Sequence, residues 1–229
     1  MVRPEIERAL APLADEEIQV FEPTETYQNV AKPAGVRTLT PARAMVAEMV
    51  RRYWVLGSDC TYLEVRKLGW FLERAIRKLA LPNPLDLPFT ADRYGPNSDR
   101  LRHLLNGLDG RYLHSDKRLG DAGPNDTIWV DEAMRPHTDL FWKQAEHRHL
   151  LPILEETEST ISGFESPLGM ELLATVDWLV ERENCDLSRD AIRTGLRRWP
   201  AGSEAAERKL QLFDDRMIGL ALDRLTRSA

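Results

Sequence analysis

The sequence has few cysteines and no long hydrophobic run. Its two cysteines, Cys60 and Cys185, lie far apart, which excludes the close cysteine pairs of structural zinc sites. We expect both to be free buried thiols. No apolar stretch approaches the roughly 20 residues that span a bilayer, and the first residues show no signal or transit peptide. These absences predict a cytoplasmic protein without membrane contact.

The chain also lacks the basic excess that is usual in nucleic-acid-binding proteins. Its 229 residues include 37 acidic and 31 basic side chains, a formal net charge of -6. Proteins that neutralise phosphates usually present a basic face. We therefore expect no direct nucleic-acid partner and favour a basic or DNA-binding protein as the partner. With 42% hydrophobic residues, the chain can form a sizeable core.

No motif indicates a catalytic centre. His147 and His149 would face different directions on a helix, so they do not form half of a metal site. The acidic runs at 155–158 and 214–215 are typical of solvated helix faces. The glycines between 107 and 123 suit turns and match no phosphate-binding loop. We predict that this chain is not an enzyme and binds no metal or cofactor.

The N-terminal part of the sequence differs from the rest. Residues 4–23 are typical of a helix followed by a strand whose apolar side chains have too few neighbours to bury them. We interpret residues 1–23 as the tail of a larger domain. Residues 24–37 are polar and follow neither the helical nor the strand period, which predicts a linker. Residues 38–229 would form the main domain.

Helical signals dominate from residue 38 onward. Thr40 can cap a helix that has Pro41 at its first position, and Thr61 and Glu64 have the spacing of a capping box. The next segment is predicted to contain a strand, a helix and two strands of a hairpin, at 87–90, 97–108, 111–114 and 127–130. The predicted fold class is mainly α with a small β-hairpin: a winged-helix-like unit followed by a helical bundle.

Two segments place aromatic residues where a partner protein would contact them. Between Asp92 and Leu101, Tyr94 precedes a predicted helix that has Asp99 in its first turn. Phe164 and Glu165 lie in the turn before another helix. Rigid aromatic side chains with flanking charges are common interface anchors. The alternative is that both segments are structural, with their aromatic side chains packed on the core.

Three stretches of the chain closely resemble the C-terminal domain of the DarG-type antitoxins of DarT–DarG toxin–antitoxin systems: 67–72, 93–112 and 163–178. The resemblance extends more loosely over residues 40–225. DarG also has an N-terminal macrodomain that ends in a helix, a strand and a Glu-Pro pair such as Glu22-Pro23. The resemblance therefore implies a fragment that retains only the tail of the macrodomain.

The resemblance also implies a function. In this family the macrodomain removes ADP-ribose from thymidine in DNA, while the C-terminal domain binds and silences DarT, which transfers ADP-ribose from NAD to single-stranded DNA. A cleft that holds single-stranded DNA should be positively charged. We hypothesise that acidic side chains of this chain block the DNA/NAD cleft of the toxin by DNA mimicry. The candidate toxin contacts are Tyr94, Asp99, Asp116, Asp121, Asp126, Phe164 and Glu165.

Two other functions remain open. A winged-helix unit is also compatible with a DNA-binding autorepressor, since one fold serves different functions. A small hydrolase that uses surface carboxylates is the second. Binding that falls steeply with salt would indicate the repressor, and loss of product formation after substitution of an acid would indicate the hydrolase.

Overall fold

The structure is a computed structural model that describes residues 38–54 and 60–227. All of them belong to one compact unit, Pro33–Ala229. The predicted macrodomain tail and linker, residues 1–37, lie outside the described residues. The domain boundaries therefore stay predictions.

The described ranges contain nine α-helices and five short strands. The helices are α1 Pro41–Tyr53, α2 Tyr62–Leu79, α3 Asp99–Leu108, α4 Arg135–Lys143, α5 Leu151–Ile161, α6 Pro167–Glu181, α7 Arg189–Arg197, α8 Ser203–Leu212 and α9 Asp215–Arg227. The strands are β1 Cys60–Thr61, β2 Thr90–Asp92, β3 Gly95–Asn97, β4 Leu113–His114 and β5 Thr127–Val130. The predicted fold class, mainly α with a small hairpin, is confirmed.

The first half of the unit contains a three-stranded antiparallel sheet. Strand β5 lies between β1 and β4, with Cys60 opposite Ile128 and Leu113 opposite Val130. The predicted hairpin is therefore present as β4 and β5. Strand β1 was not predicted, because two residues are too short to show the alternation that identifies a strand.

The strand predicted at 87–90 lies slightly later in the chain and has an unexpected partner. Strand β2 pairs antiparallel with β3 across a turn formed by Arg93 and Tyr94. Gly95 begins β3 with φ of 93°, a conformation that glycine adopts without a steric penalty. Strand β3 escaped prediction because Pro96 lacks an amide donor and is unusual within strands.

Helix α2 is the central helix of the described unit, and its residues from Tyr62 to Ile76 are buried. The predicted capping box is present at its N-terminus: Glu64 N donates to Thr61 Oγ1 at 3.3 Å, and Thr61 N donates to Glu64 Oε2 at 2.7 Å. The hydroxyl of Tyr53 donates to the other Glu64 oxygen at 2.7 Å. The cap therefore also ties the end of α1 to the start of α2.

The second half of the unit is a helical bundle around α2. Helices α5 and α6 pack on α2, and α9 packs on α6. The core between them includes Trp70, Leu173 and Phe213, each fully buried. In the part of the chain that the structure describes, no helix is both long enough and apolar enough to cross a membrane.

The two predicted thiols differ in their exposure. Both cysteines are free. Cys60 is buried, and burial raises the pKa of its thiol well above the ordinary value. Cys185 is only half-buried. The prediction of a free buried thiol therefore fits Cys60 fully and Cys185 in part.

Replacing Thr61 with alanine removes the capping hydroxyl of α2. We expect the Thr61→Ala variant to lose about 0.5–2 kcal/mol of unfolding free energy, measured by urea denaturation. Thr61→Ser keeps the hydroxyl and is the matched control. Equal losses in both variants would show that the methyl group of Thr61, and not the cap, accounts for the stabilisation.

Candidate functional site

The three stretches that carry the resemblance meet in one buried polar cluster. Lys67 on α2 donates from Nζ to the carbonyl oxygen of Pro96 at 2.8 Å. A Cβ atom added to Gly95 would lie 3.3 Å from Lys67 Nζ and 3.1 Å from Oγ1 of Thr175 on α6. Helix α2, the β2–β3 hairpin and α6 therefore come into contact at a point where a side chain at Gly95 would be crowded by Lys67 and Thr175.

Glu171 is the acid of this cluster and lies one turn before Thr175 on α6. It is only 2% exposed. Its carboxylate accepts hydrogen bonds from Lys209 Nζ at 3.0 Å and from both terminal nitrogens of Arg208 on α8. Burial raises the pKa of Glu171, but the hydrogen bonds from Arg208 and the charge of Lys209 outweigh it and hold the pKa below its ordinary value. The carboxylate is therefore ionised at neutral pH.

Two lysines in the cluster are fully buried. Lys67 and Lys209 are each 0% exposed, and burial lowers the pKa of both ammonium groups, further for Lys67. Lys209 Nζ also lies 4.8 Å from the ring centroid of Trp199, a favourable cation–π distance. A buried charge is stable only when it is paired and hydrogen-bonded; Lys209 has the Glu171 carboxylate as its partner, and Lys67 Nζ is hydrogen-bonded to the Pro96 carbonyl oxygen.

The predicted contact residue Tyr94 lies at the tip of the hairpin, next to this cluster. Its ring is half-buried, with the guanidinium carbons of Arg208 and Arg93 at 4.7 Å and 5.7 Å from the ring centroid. Arg93 also pairs with Glu204, at 3.0 Å between Nη1 and Oε1. We call Arg93, Tyr94 and Arg208 the arginine–tyrosine corner. Asp99 is exposed nearby in sequence, in the first turn of α3.

The three predicted loop acids share the segment between β4 and β5. Asp116 and Asp121 are exposed. Asp126 has a structural role, since it accepts hydrogen bonds from the amide of Gly123 at 2.7 Å and from Lys117 Nζ at 2.9 Å. These two hydrogen bonds lower the pKa of Asp126, the amide having the larger effect. The loop therefore presents two exposed carboxylates and a third that shapes its backbone.

Phe164 and Glu165 lie in the turn between α5 and α6. Phe164 is half-buried against the core, which agrees with the structural alternative for that side chain. Glu165 is exposed and accepts a hydrogen bond from the amide of Gly163 at 2.6 Å. Arg224 on α9 donates to the carbonyl oxygen of Ser162. These two hydrogen bonds therefore stabilise the turn, and the Glu165 carboxylate lies at the surface.

Sequence reasoning missed the buried charges. Asp177 is 1% exposed and accepts hydrogen bonds from Trp70 Nε1 at 2.7 Å and Arg74 Nε at 2.9 Å. Burial raises the pKa of Asp177. The sequence did contain a signal for them, because charged residues stand inside a helix that is otherwise apolar on all sides. Helix α6 is buried from Met170 to Leu179, so Glu171 and Asp177 are buried with it. Within the described ranges, no group of three His, Cys, Asp or Glu side chains is placed to hold a metal ion.

Comparison with known proteins finds relatives that are named for an ADP-ribosyl glycohydrolase activity. No protein-family model matches it. Two proteins named DNA ADP-ribosyl glycohydrolase, from Mycobacterium bovis and Mycobacterium tuberculosis, are each 30% identical over 235 residues, which covers 96% of this chain and 62% of each relative. A Thermus aquaticus protein of the same name is 31% identical over 184 residues, 80% of this chain and 48% of the relative. This chain is therefore similar in sequence to proteins of that name over most of its length.

The comparison corrects one prediction. We predicted that this chain is not an enzyme, but the DarG relatives that match 96% of it are named for an enzymatic activity, so that prediction is wrong. It relied on the absence of short catalytic motifs and on the inference that the body of the macrodomain is missing from this chain. The chain spans less than two thirds of the length of these relatives, 62% and 48%. That it retains only a macrodomain tail stays a prediction.

Replacing Glu171 with glutamine tests the buried cluster. The Glu171→Gln variant leaves the charges of Arg208 and Lys209 without their carboxylate, and breaking a buried ion pair typically costs about 3–5 kcal/mol. We expect a loss of that order in chemical denaturation. Glu204→Gln removes an exposed partner of Arg93 and should change stability little. A Glu171→Gln variant as stable as Glu204→Gln would contradict a stabilising role for the cluster.

Acidification should weaken the same cluster. The folded-state pKa of Glu171 lies below its ordinary value of 4.5, so the unfolded chain binds more protons as the pH falls past that value. The stabilisation is fully present above the unfolded-state pKa and is lost as the pH falls through the folded-state pKa. We expect unfolding free energy, measured at several pH values, to fall less steeply on acidification in Glu171→Gln than in the wild type. Parallel slopes would count against this assignment.

Proposed function

We propose that this chain acts in the reversal of DNA ADP-ribosylation, and that its helical unit binds and inhibits a DarT-type DNA ADP-ribosyltransferase. The first part is supported by the name of the relatives, DNA ADP-ribosyl glycohydrolase. The second part is supported by the resemblance of three stretches of the chain to the toxin-binding domain of DarG. The two parts are independent and are tested separately below.

The buried cluster is the observation that carries the toxin-binding proposal. It joins the three resembling stretches through Lys67, the Gly95–Pro96 segment and Thr175. A surface whose residues are held in place by buried contacts loses little conformational entropy on binding, and this favours affinity. Tyr94 and its two arginines lie on that surface, and tyrosine and arginine are enriched among the residues that dominate binding energy.

The proposed inhibition depends on exposed carboxylates. Asp116, Asp121 and Glu165 are exposed, and the chain has a formal net charge of -6. Cationic groups that hold DNA phosphates in the toxin would pair with these carboxylates, and exclusion of water would strengthen each pair. The chain and single-stranded DNA would then compete for one cleft. Inhibition would need no turnover.

The decisive experiment combines the cognate toxin, NAD and a single-stranded oligonucleotide with increasing amounts of this chain. We expect modification of the oligonucleotide, followed on a gel, to stop near an equimolar ratio. Asp116→Asn with Asp121→Asn should raise the half-inhibiting concentration by about tenfold. The matched control is Glu155→Gln with Glu181→Gln, two exposed acids on α5 and α6 with the same change in charge. Full toxin activity in excess wild-type chain would refute inhibition by contact.

A second assay tests the glycohydrolase part without the toxin. The chain is incubated with an ADP-ribosylated oligonucleotide, and released ADP-ribose is measured by chromatography. Release is the expected result. An unchanged oligonucleotide would remove the enzymatic part of the proposal and leave toxin binding to be judged by the inhibition assay alone.

The strand order of the three-stranded sheet, β1-β5-β4, is that of a winged-helix unit. It favours a second candidate function, that of a DNA-binding autorepressor. In that reading α3 would face DNA, and its exposed residues include Arg100 and Arg102. Both have partners: Arg100 pairs with Asp86 at 2.6 Å, and Arg102 donates to the carbonyl oxygen of Gly120 at 3.3 Å. A mobility shift with DNA from the chain's own operon, weakening steeply between two salt concentrations, would support this candidate.

A further inference from the structure

We propose that the arginine–tyrosine corner recognises carboxylates on an acidic surface of the partner protein, separate from the basic cleft that the exposed acids would enter. This inference rests on the proposed toxin binding and assigns a chemistry to one part of its interface. Arg93, Tyr94 and Arg208 form a cationic contact on a chain whose net charge is negative.

Arg93 is free to change partners. Its side chain is 53% exposed, and its partner Glu204 is 81% exposed. An ion pair in such surroundings contributes little to stability. A carboxylate of another protein can therefore replace Glu204 at small cost, and the guanidinium group offers the planar fork that matches a carboxylate.

Arg208 and the hairpin are held rigidly beneath Arg93. Both terminal nitrogens of Arg208 bond the buried carboxylate of Glu171, and the Arg208 side chain is 27% exposed. Trp199 Nε1 donates to the carbonyl oxygen of Asp92 at 3.0 Å, next to the hairpin turn. The Tyr94 ring thus sits against a fixed cation, and a partner would meet a surface already in its bound form.

The charge of the corner determines what it can face. Once Glu204 is displaced, a basic cleft that holds DNA would repel Arg93, because like charges brought together at an interface cost binding energy. An acidic surface of the partner would attract it. The net charge of -6 disfavours nucleic acid as the occupant, since phosphates would be repelled by the rest of the chain. Contacts of opposite sign at two places would also fix the orientation of the complex.

Reversing the charge of Arg93 tests the inference. Titration calorimetry of the full chain with the cognate toxin should show about tenfold or greater weakening for Arg93→Glu, with much of the affinity retained in Arg93→Lys. The matched control is Arg135→Glu on α4, whose side chain is 57% exposed and whose partner Glu132 is 55% exposed. Both variants should keep the wild-type circular dichroism spectrum and melting temperature.

The outcomes separate the two proposals. If the wild type binds the toxin and Arg93→Glu binds as tightly as Arg135→Glu, the corner is not a contact and only this inference fails. If Arg93→Glu weakens binding to a fluorescent single-stranded oligonucleotide but not to the toxin, the corner is a nucleic-acid contact and the inference is overturned. If the wild type does not bind the toxin, the proposed function fails first, and this inference fails with it.

Discussion

The structure depends on one buried carboxylate, that of Glu171, which balances the positive charge brought in by α8. Lys209 is fully buried and Arg208 partly so, and without an acid between them neither position would be tolerated in a core. The same carboxylate lies one turn from Thr175, which contacts Gly95 of the hairpin. Glu171 therefore balances the buried positive charge of the bundle and also lies next to the contact that positions the hairpin.

The surface features divide by charge. The loop between β4 and β5 and the turn before α6 present carboxylates, whereas the hairpin tip presents guanidinium groups around an aromatic ring. A single mimic of DNA would place its acids and its aromatic side chain together. The described unit instead places Tyr94 between the guanidinium groups of Arg93 and Arg208.

What could be predicted from the sequence was local. Thr61 and Glu64 are three residues apart, and the strands of the β4–β5 hairpin show their pattern within four residues, so the cap and this hairpin were predicted correctly. The burial of Lys67 and Lys209 was not predicted, because the acceptors of their hydrogen bonds lie 29 and 38 residues away in the sequence. Similarly, the fit of Gly95 depends on α6, and the pairing of β2 with β3 is masked by Pro96. Distant side chains that meet only after folding leave no short pattern in a sequence.

The hydrogen bond between Trp199 and Asp92 joins residues 107 positions apart. During synthesis, domains tend to fold as units once enough chain has emerged. The hairpin leaves the ribosome before α8 exists, so Tyr94 cannot pack against Arg208 until α8 has been synthesised. A nascent chain that stalls before α8 would present the hairpin without Arg208 beneath its tip.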